Sequence, residues 1–223
     1  DKLSRFLAFK RICDILLAVT SAVIFLPLCF FIALLIQIDS KGPVLFKQRR
    51  IGRNGRLFTI YKFRSMVVDA QNKGSSVTLH RDPRITGIGL FLRKFRLDEL
   101  PQLYNILAGD MSFVGPRPDV EEITAAYSET MKEIFILPPG LTNLATLHLR
   151  NEPEFLLRQT DPDKFYIEKL VPLKVSLGLE HLRRLSIFFE IKIFCQTVWM
   201  VLPFSGLNPV KPRPDISRLI GPV

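Results

Sequence analysis

Cysteine and histidine are scarce in this chain of 223 residues, and those present are scattered. The three cysteines, Cys13, Cys29 and Cys195, are odd in number and far apart. The sequence therefore shows neither a disulfide framework nor the paired spacing of a zinc site, and it favours a reducing compartment. The three histidines are isolated from one another, so we expect surface or core positions for them rather than catalytic ones.

A glycine-rich phosphate loop of the Walker type and a nucleophile elbow are also missing. Carboxylates are then the main candidates for acid–base or covalent chemistry, although 21 Asp and Glu face 31 Lys and Arg, for a formal net charge of +10. Hydrophobic residues make up 48% of the chain, and its mean hydropathy is +0.21. A basic chain this apolar is predicted to associate with a membrane and to present a basic surface to anionic lipid, phosphate or nucleic acid.

One long segment, residues 15–38, contains no charged residue. About 20 apolar residues suffice to span a bilayer, so the segment is long enough for one transmembrane helix. Pro27, near its middle, is expected to kink or break that helix because it removes a backbone hydrogen bond. Lysines and arginines flank the segment at residues 2–11 and 41–53, and cationic flanks favour the cytoplasm. We therefore predict a re-entrant helix-break-helix with both ends cytoplasmic; an ordinary spanning helix is the alternative.

Residues 44–66 hold two β-like runs on either side of Asn54-Gly55, the preferred pair for a type I′ turn. The pattern predicts a β-hairpin. In its second strand Lys62 and Arg64 alternate with aromatic residues, so the two cations share one face. That face is either solvated or a site for an anion.

Residues 185–202 are apolar apart from Glu190 and Lys192, and they contain Trp199. A helix in the membrane interface and a buried core helix explain this pattern equally well. The sequence as a whole predicts an α+β fold. It comprises the N-terminal re-entrant helix and a mainly helical cytosolic domain with a small β-hairpin and interfacial amphipathic helices.

Two adjacent carboxylates, Asp98 and Glu99, stand in the stretch RLDELPQLYNIL. Four apolar residues recur there at helical spacing and predict one apolar helix face: Leu100, Leu103, Tyr104 and Leu107. The pair falls at the start of the predicted helix, where carboxylates commonly cap free N–H groups. The same position suits a phosphate site built from helix amides, nearby arginines and a carboxylate that holds Mg²⁺. One carboxylate would then attack phosphorus while the other handles a proton, as in a membrane-bound enzyme acting on a phosphorylated substrate.

Three stretches follow one another in the order and spacing of a known family. They are the apolar segment, then KGPVLFKQRRIGRNGRLFTIYKFRSM, and then DPRITGIGLFLRKFRLDELPQLYNILAGDMSFVGPRP. From about Lys10 to Asp119 the chain resembles the bacterial sugar transferases, also called monotopic phosphoglycosyl transferases. Nothing in it corresponds to the N-terminal multi-helix membrane domain of longer members, so it resembles the family's minimal catalytic core. We expect residues 1–40 to form the re-entrant membrane helix with its basic flank, and residues 41–223 a cytosolic, membrane-associated catalytic domain.

The resemblance implies transfer of a sugar 1-phosphate from a UDP-sugar to polyprenyl (undecaprenyl) phosphate, with release of UMP. That reaction is the first membrane step in making surface glycans, and it is expected to pass through a sugar phosphate bound covalently to an aspartate. The resemblance also implies Mg²⁺ as cofactor and the bacterial inner membrane as location, with the active site facing the cytoplasm. The expected partners are a UDP-sugar, polyprenyl phosphate and the phospholipid bilayer; no nucleic acid is expected.

The family's motifs assign roles to individual residues. Asp98 falls on the nucleophilic aspartate, which also contacts Mg²⁺, and Glu99 falls on its acid–base partner. Lys62, Arg93 and Arg117 fall on basic motif positions and are expected to contact phosphate or the nucleotide.

Two stretches depart from the family's common pattern. Leu26 stands where a serine often precedes the membrane proline, so the membrane break is expected to depend on Pro27. After PGLT, the run NLATLHLRNE replaces a Trp-Gln-Val-Gly-Arg-like run, and Arg150 is predicted to bind substrate in place of that run's arginine. This region is expected to shape the sugar pocket, and the sequence assigns no particular sugar.

Two other functions compete with this interpretation. The charge of +10 and the aromatic-basic residues 60–64 permit a membrane-tethered nucleic-acid-binding module, but that function leaves the carboxylate pair without a role. The second alternative is an enzyme that handles polyprenyl phosphate without a nucleotide sugar. Release of UMP from UDP-sugars distinguishes a sugar transferase from such an enzyme.

Overall fold

The computed structural model describes residues 2–70, 82–149, 152–201 and 216. It begins with one long helix, α1 (Lys2–Asp39), which contains Pro27. This helix is long and apolar enough to cross a membrane, and only 11% of its most apolar 18-residue window is buried, whereas a core helix would be mostly buried. The predicted division into two helices is not confirmed, because the loss of one backbone hydrogen bond at Pro27 does not end the helix. The re-entrant arrangement stays a prediction.

The predicted hairpin is confirmed. Strands β1 (Leu45–Ile51) and β2 (Leu57–Phe63) pair antiparallel along their whole length. Between them Asn54 and Gly55 have φ values of 57° and 73°, and a backbone hydrogen bond of 3.2 Å joins the residues that flank this pair. Positive φ at both central positions is the mark of a type I′ turn, so the turn is confirmed as well.

Short helices and a second strand pair make up the rest of the domain. They are, in chain order, α2 (Gly87–Lys94), a 3₁₀ turn (Leu97–Glu99), α3 (Gln102–Ala108), β3 (Ser112–Val114), α4 (Glu121–Thr124), α5 (Glu129–Lys132), a second 3₁₀ turn (Glu133–Ile136), β4 (Gly140–Thr142), α6 (Leu144–His148), α7 (Glu152–Leu157), α8 (Pro162–Phe165), a π-helical turn (Tyr166–Leu170), α9 (Val171–Arg183) and α10 (Ile187–Val201). Strands β3 and β4 pair in parallel, a contact that the sequence analysis did not predict. The fold is thus mainly helical with small sheets, as expected.

Helix α10 has one buried and one exposed face. Glu190, Ile193 and Met200 are at most 7% exposed, whereas Phe188 and Trp199 are 86% and 50% exposed. Both interpretations of this segment therefore hold in part: one face belongs to the core, and the opposite face carries exposed apolar side chains. The placement of that second face in the membrane interface stays a prediction.

Both ends of α1 are attached to the same domain. Near its N-terminal end, Lys10 forms an ion pair of 2.5 Å with Glu190 on α10. At its C-terminal end, the guanidinium of Arg64, just after β2, donates to the carbonyl oxygens of Ser40 and Lys41 at 2.5 and 3.1 Å. Arg64 is only 5% exposed, so it is not part of a solvated basic face. The chain on both sides of the apolar stretch is therefore held on one domain.

Candidate active site

The two carboxylates do not cap a helix. Asp98 and Glu99 lie in the 3₁₀ turn that precedes Pro101, and α3 begins only at Gln102, with no side-chain cap. The backbone N–H groups of Glu99 and the next residue donate to carbonyl oxygens of the same turn, and Pro101 has no N–H to donate. The predicted position of the pair at the start of the helix is therefore wrong, and the groups that the structure brings to the pair are mainly cationic side chains.

The predicted apolar face of α3 is also partly wrong. Tyr104 and Leu107 are 62% and 36% exposed, whereas Leu103, Ile106 and Asn105 are buried. The helix begins later than the pattern indicated and packs against both α1 and β2, which turns its buried side toward these three residues. Asn105 is buried because its side chain bonds to the backbone of β2, where it accepts one hydrogen bond at 3.1 Å and donates another at 2.7 Å.

Glu99 is held by cations on both of its oxygens. Lys62 Nζ lies 3.0 Å from Oε1, and Arg96 Nη1 lies 3.6 Å from Oε2. Burial alone would raise the pKa of Glu99, but the charges of Lys62, Arg96 and Arg117 outweigh it and lower that pKa to about 2. Glu99 is therefore ionised at every physiological pH in the free protein.

Asp98 has a different environment. Its side chain is 8% exposed, and within the described ranges of the chain no group donates a hydrogen bond to its carboxylate. Burial, followed by the neighbouring charge of Glu99, raises the pKa of Asp98 to about 6, and the charges of Lys62, Arg93 and Arg96 only partly offset this. Asp98 is thus mostly ionised at neutral pH and poorly solvated, and its carboxylate oxygens have no hydrogen-bond donor among the described residues.

Arg96 starts the turn in a strained conformation that the sequence did not reveal. Its φ is 53°, in the left-handed region that residues other than glycine rarely adopt. Strain of this kind often occurs at functional sites. Here it accompanies the contact between Arg96 and Glu99, three residues later.

Arg117 is placed by a rigid turn. The carbonyl oxygens on either side of it, those of Pro116 and Pro118, accept hydrogen bonds from Gly140 N at 2.9 Å and from Arg50 Nη1 at 3.2 Å. Burial lowers the pKa of Arg117, but the carboxylate of Glu99, followed by other acidic groups, outweighs burial and raises it. No carboxylate among the described residues lies within ion-pair distance of Arg117, so its guanidinium is available to an anion.

Arg50 is the functional candidate that the sequence analysis missed, since it was counted only among the flanking cations. Its Nη2 donates to Gln48 Oε1 at 2.6 Å, while its buried Nε has no partner in the described parts of the chain. Burial, followed by the like charge of Arg117, lowers the pKa of Arg50. Two adjacent guanidinium groups repel each other, and a bound anion would relieve that repulsion.

The structure brings together most of the predicted site residues. Lys62 contacts Glu99, and the charge of Arg93 acts on Asp98. Four cations act on the pair, namely Lys62, Arg93, Arg96 and Arg117, and Arg50 lies next to Arg117. Arg150 lies outside the described residues, so its predicted role stays a prediction, and Pro27 lies on α1, away in sequence from the site. Two carboxylates among four cations leave a net positive site that suits a diphosphate.

Comparison with known proteins identifies the family. The family model described as bacterial sugar transferase matches residues 5–203, which include nearly all of the described chain. The chain belongs to the bacterial sugar transferase family. The resemblance inferred from the sequence motifs is thereby confirmed.

Relatives of this sugar transferase differ in their named sugars. Galactosyl transferase CpsE of Streptococcus agalactiae is 39% identical over 211 residues, which cover 88% of this chain and 43% of the relative. UDP-glucose:undecaprenyl-phosphate glucose-1-phosphate transferase of Escherichia coli is 37% identical over 194 residues, 85% of this chain and 39% of the relative. A Bacillus subtilis protein, named for an undecaprenyl-phosphate N-acetylgalactosaminyl 1-phosphate transferase, is 45% identical over 142 residues, 64% of this chain and 75% of the relative. The chain thus spans less than half the length of the first two.

Proposed function

We propose that this sugar transferase moves a sugar 1-phosphate from a UDP-sugar to a polyprenyl phosphate and releases UMP, as the first membrane step of surface glycan synthesis. The observation that carries the proposal is the carboxylate of Asp98, which is buried, accepts no hydrogen bond from the described residues and lies under the charges of Lys62, Arg93 and Arg96. A carboxylate so placed can attack phosphorus, and the cations suit the charge of a diphosphate. The names of the relatives support undecaprenyl phosphate as the acceptor.

The reaction proceeds in two half-reactions. In the first, an oxygen of Asp98 attacks the phosphorus next to the sugar; the bond from this phosphorus to the bridging oxygen breaks, and UMP leaves with the electron pair. The sugar phosphate is then bound to Asp98 as an acyl phosphate. In the second, an oxygen of the polyprenyl phosphate attacks the same phosphorus and the bond to Asp98 breaks. One diphosphate is broken and one is made, so the exchange needs no ATP.

Glu99 handles the proton in this proposal. In the free protein three cations keep its pKa at about 2, which makes it a weak base. A bound diphosphate adds negative charge beside the same cations and therefore raises the pKa of Glu99. Phosphate monoesters have a second pKa of about 6, so Glu99 can take the proton that remains on the lipid phosphate when its oxygen attacks.

Mg²⁺ is the proposed cofactor. Among the described residues no group of three or more His, Cys, Asp or Glu side chains could hold a metal ion. Mg²⁺ in phosphoryl-transfer sites is usually bound by one or two carboxylates together with substrate phosphates. Asp98 fits that donor set because its carboxylate accepts no hydrogen bond from the described chain, whereas both oxygens of Glu99 face cations. When bound, the ion would neutralise part of the charge on the diphosphate.

Helix α1 is proposed to enter the inner membrane from the cytoplasmic side and to return to it. The support is that both of its ends dock on one domain, through Lys10 and through the carbonyl groups held by Arg64. A helix that crosses the membrane would carry its two ends to opposite sides. A re-entrant α1 keeps the active site at the cytoplasmic face, where a soluble nucleotide sugar and a lipid phosphate can both reach Asp98.

A reaction without lipid tests the covalent step. Mixed with a UDP-sugar and Mg²⁺, the enzyme should release at most one UMP per active site, and intact-protein mass spectrometry should find a sugar phosphate on Asp98 that is lost on adding undecaprenyl phosphate. Asp98→Asn should abolish the release, because an amide is a poor nucleophile, while Asp110→Asn serves as the matched control. Release of UMP only in the presence of lipid would instead establish direct transfer between two bound substrates.

A further inference from the structure

A second charged cluster lies beside the site, where α7, the π-helical turn and α9 meet. Lys174 of α9 has a side chain that is 4% exposed, and its Nζ lies 2.7 Å from Glu152 Oε1 and 3.2 Å from the hydroxyl of Tyr166. The same ammonium lies 4.4 Å from the centre of the Tyr166 ring. A buried ammonium is tolerated only when it is paired in this way. The cluster therefore fixes the position of Glu152.

One oxygen of Glu152 is left for another partner. Oε1 is held by Lys174, whereas no described residue donates a hydrogen bond to Oε2, and the side chain is 22% exposed. An ionised carboxylate only accepts hydrogen bonds. Its natural ligand is thus a hydroxyl or an amide N–H, and it repels a phosphate group.

The cluster is adjacent to the phosphate-binding cations. Gly178, one turn after Lys174 on α9, lies against Pro116, the residue before Arg117. The carboxylates of Glu99 and Glu152 both raise the pKa of Arg117. A diphosphate bound by Arg117 would therefore have the catalytic pair and Glu152 as neighbours. A sugar and a nucleoside flank that diphosphate, so the group that meets Glu152 belongs to one of the two.

The sequence favours the sugar. Glu152 is the last residue of the run NLATLHLRNE, in which the chain departs from the family's common pattern. The relatives are named for different sugars, while the E. coli relative is named for a UDP-linked donor. A departure in sequence is more readily explained by the variable sugar than by the nucleoside.

We propose that Glu152 determines sugar specificity by accepting a hydrogen bond from a hydroxyl or amide N–H of the donor sugar, and that Lys174 is the positioning residue that holds it. This inference rests on the proposed function. The inference assigns a carboxylate to the binding of the sugar. The family resemblance, by contrast, assigned only cations to substrate binding, and these were expected to contact phosphate or the nucleotide.

The test compares a donor with the same molecule lacking its sugar. For Glu152→Gln, kcat/KM for the preferred UDP-sugar should fall about tenfold or more, which corresponds to the loss of one hydrogen bond to a charged acceptor. The inhibition constant of UDP, which carries both phosphates and the nucleoside but no sugar, should stay within about twofold. Glu154→Gln, an exposed carboxylate on the same helix, is the matched control and should change neither value.

Each other outcome has a definite meaning. An unchanged kcat/KM in Glu152→Gln overturns the proposal, and a parallel loss of UDP affinity overturns it in favour of a contact with the nucleoside or with Arg117. Lys174→Met should reproduce the loss seen in Glu152→Gln, with no further loss in the double variant, because both changes remove the same contact. If Lys174→Met lowers the melting temperature too far to assay, Glu152→Gln alone decides. Failure of the wild type to release UMP from any UDP-sugar would refute the proposed function itself.

Discussion

In the proposed mechanism, the raised pKa of Asp98 makes the first half-reaction dependent on pH. Burial and the charge of Glu99 raise that pKa to about 6, and only the ionised carboxylate can attack phosphorus. A group with this pKa is about one-tenth ionised at pH 5 and about nine-tenths ionised at pH 7. We therefore expect kcat/KM for the UDP-sugar to rise roughly tenfold from pH 5 to pH 7 and to level off above it.

The assay must isolate Asp98 from other titrating groups. The lipid acceptor is itself a phosphate monoester with a second pKa of about 6, so turnover with lipid mixes two ionisations. A single-turnover measurement of UMP release without lipid, at low UDP-sugar and constant ionic strength, avoids the acceptor. Under these conditions the profile reports ionisations of the free enzyme.

Two variants should move this profile in opposite directions. Glu99→Gln removes a charge that raises the pKa of Asp98, so the midpoint of its residual activity should shift to lower pH. Lys62→Met removes a charge that lowers that pKa, so its midpoint should shift to higher pH, while Lys62→Arg, which keeps the charge, should stay near the wild type. A wild-type rate that is flat from pH 5 to pH 8, or shifts of both variants in the same direction, would refute the assignment.

Three further predictions test other parts of the structure. Arg50→Met should lower kcat/KM for the UDP-sugar about tenfold or more, while exposed Arg49→Met should leave it unchanged, if Arg50 contacts the diphosphate. Asn105→Ala should lower the free energy of unfolding by about 1–3 kcal/mol in denaturant titrations, because it leaves a partly buried N–H and a partly buried C=O of β2 without partners. Single cysteines near Arg5 and Lys41, in a cysteine-free background, should both react with an impermeant maleimide only from the cytoplasmic side; periplasmic labelling of either would exclude a re-entrant α1.

Features with a local physical cause could be predicted from the sequence. The hairpin follows from Asn54-Gly55, since positive φ at two adjacent positions is easiest for this pair. The uncharged run of residues 15–38 predicts an apolar helix long enough to span a bilayer, and α1 contains this run. A local signal was also overlooked: Pro101 has no N–H and is favoured in the first turn of a helix rather than in its interior. That signal could have placed Asp98 and Glu99 in a turn ahead of α3 rather than at its start.

Features that depend on distant contacts could not be predicted. Strands β3 and β4 have three residues each, which is too short for a periodic pattern of apolar residues to show. They also pair across an intervening stretch of helices, a contact between residues that are distant in sequence. Arg50 looks like any other cation of the hairpin until the fold places it against the turn of Arg117. Likewise Glu152 and Lys174 are separated by two short helical elements, and only the structure shows that they form an ion pair.

The two adjacent carboxylates acquire different chemistry because the fold treats them differently. Glu99 faces Lys62 and Arg96, and its pKa falls to about 2; a carboxylate whose oxygens are both held by cations is a weak nucleophile. Asp98, one residue earlier, is buried with no described hydrogen-bond donor, and its pKa rises to about 6. When neighbouring groups have pKa values driven apart in this way, the environment separates their roles. The proposed roles follow this division: Asp98 acts as the nucleophile, and Glu99 is the group whose protonation depends on the charge of the bound substrate.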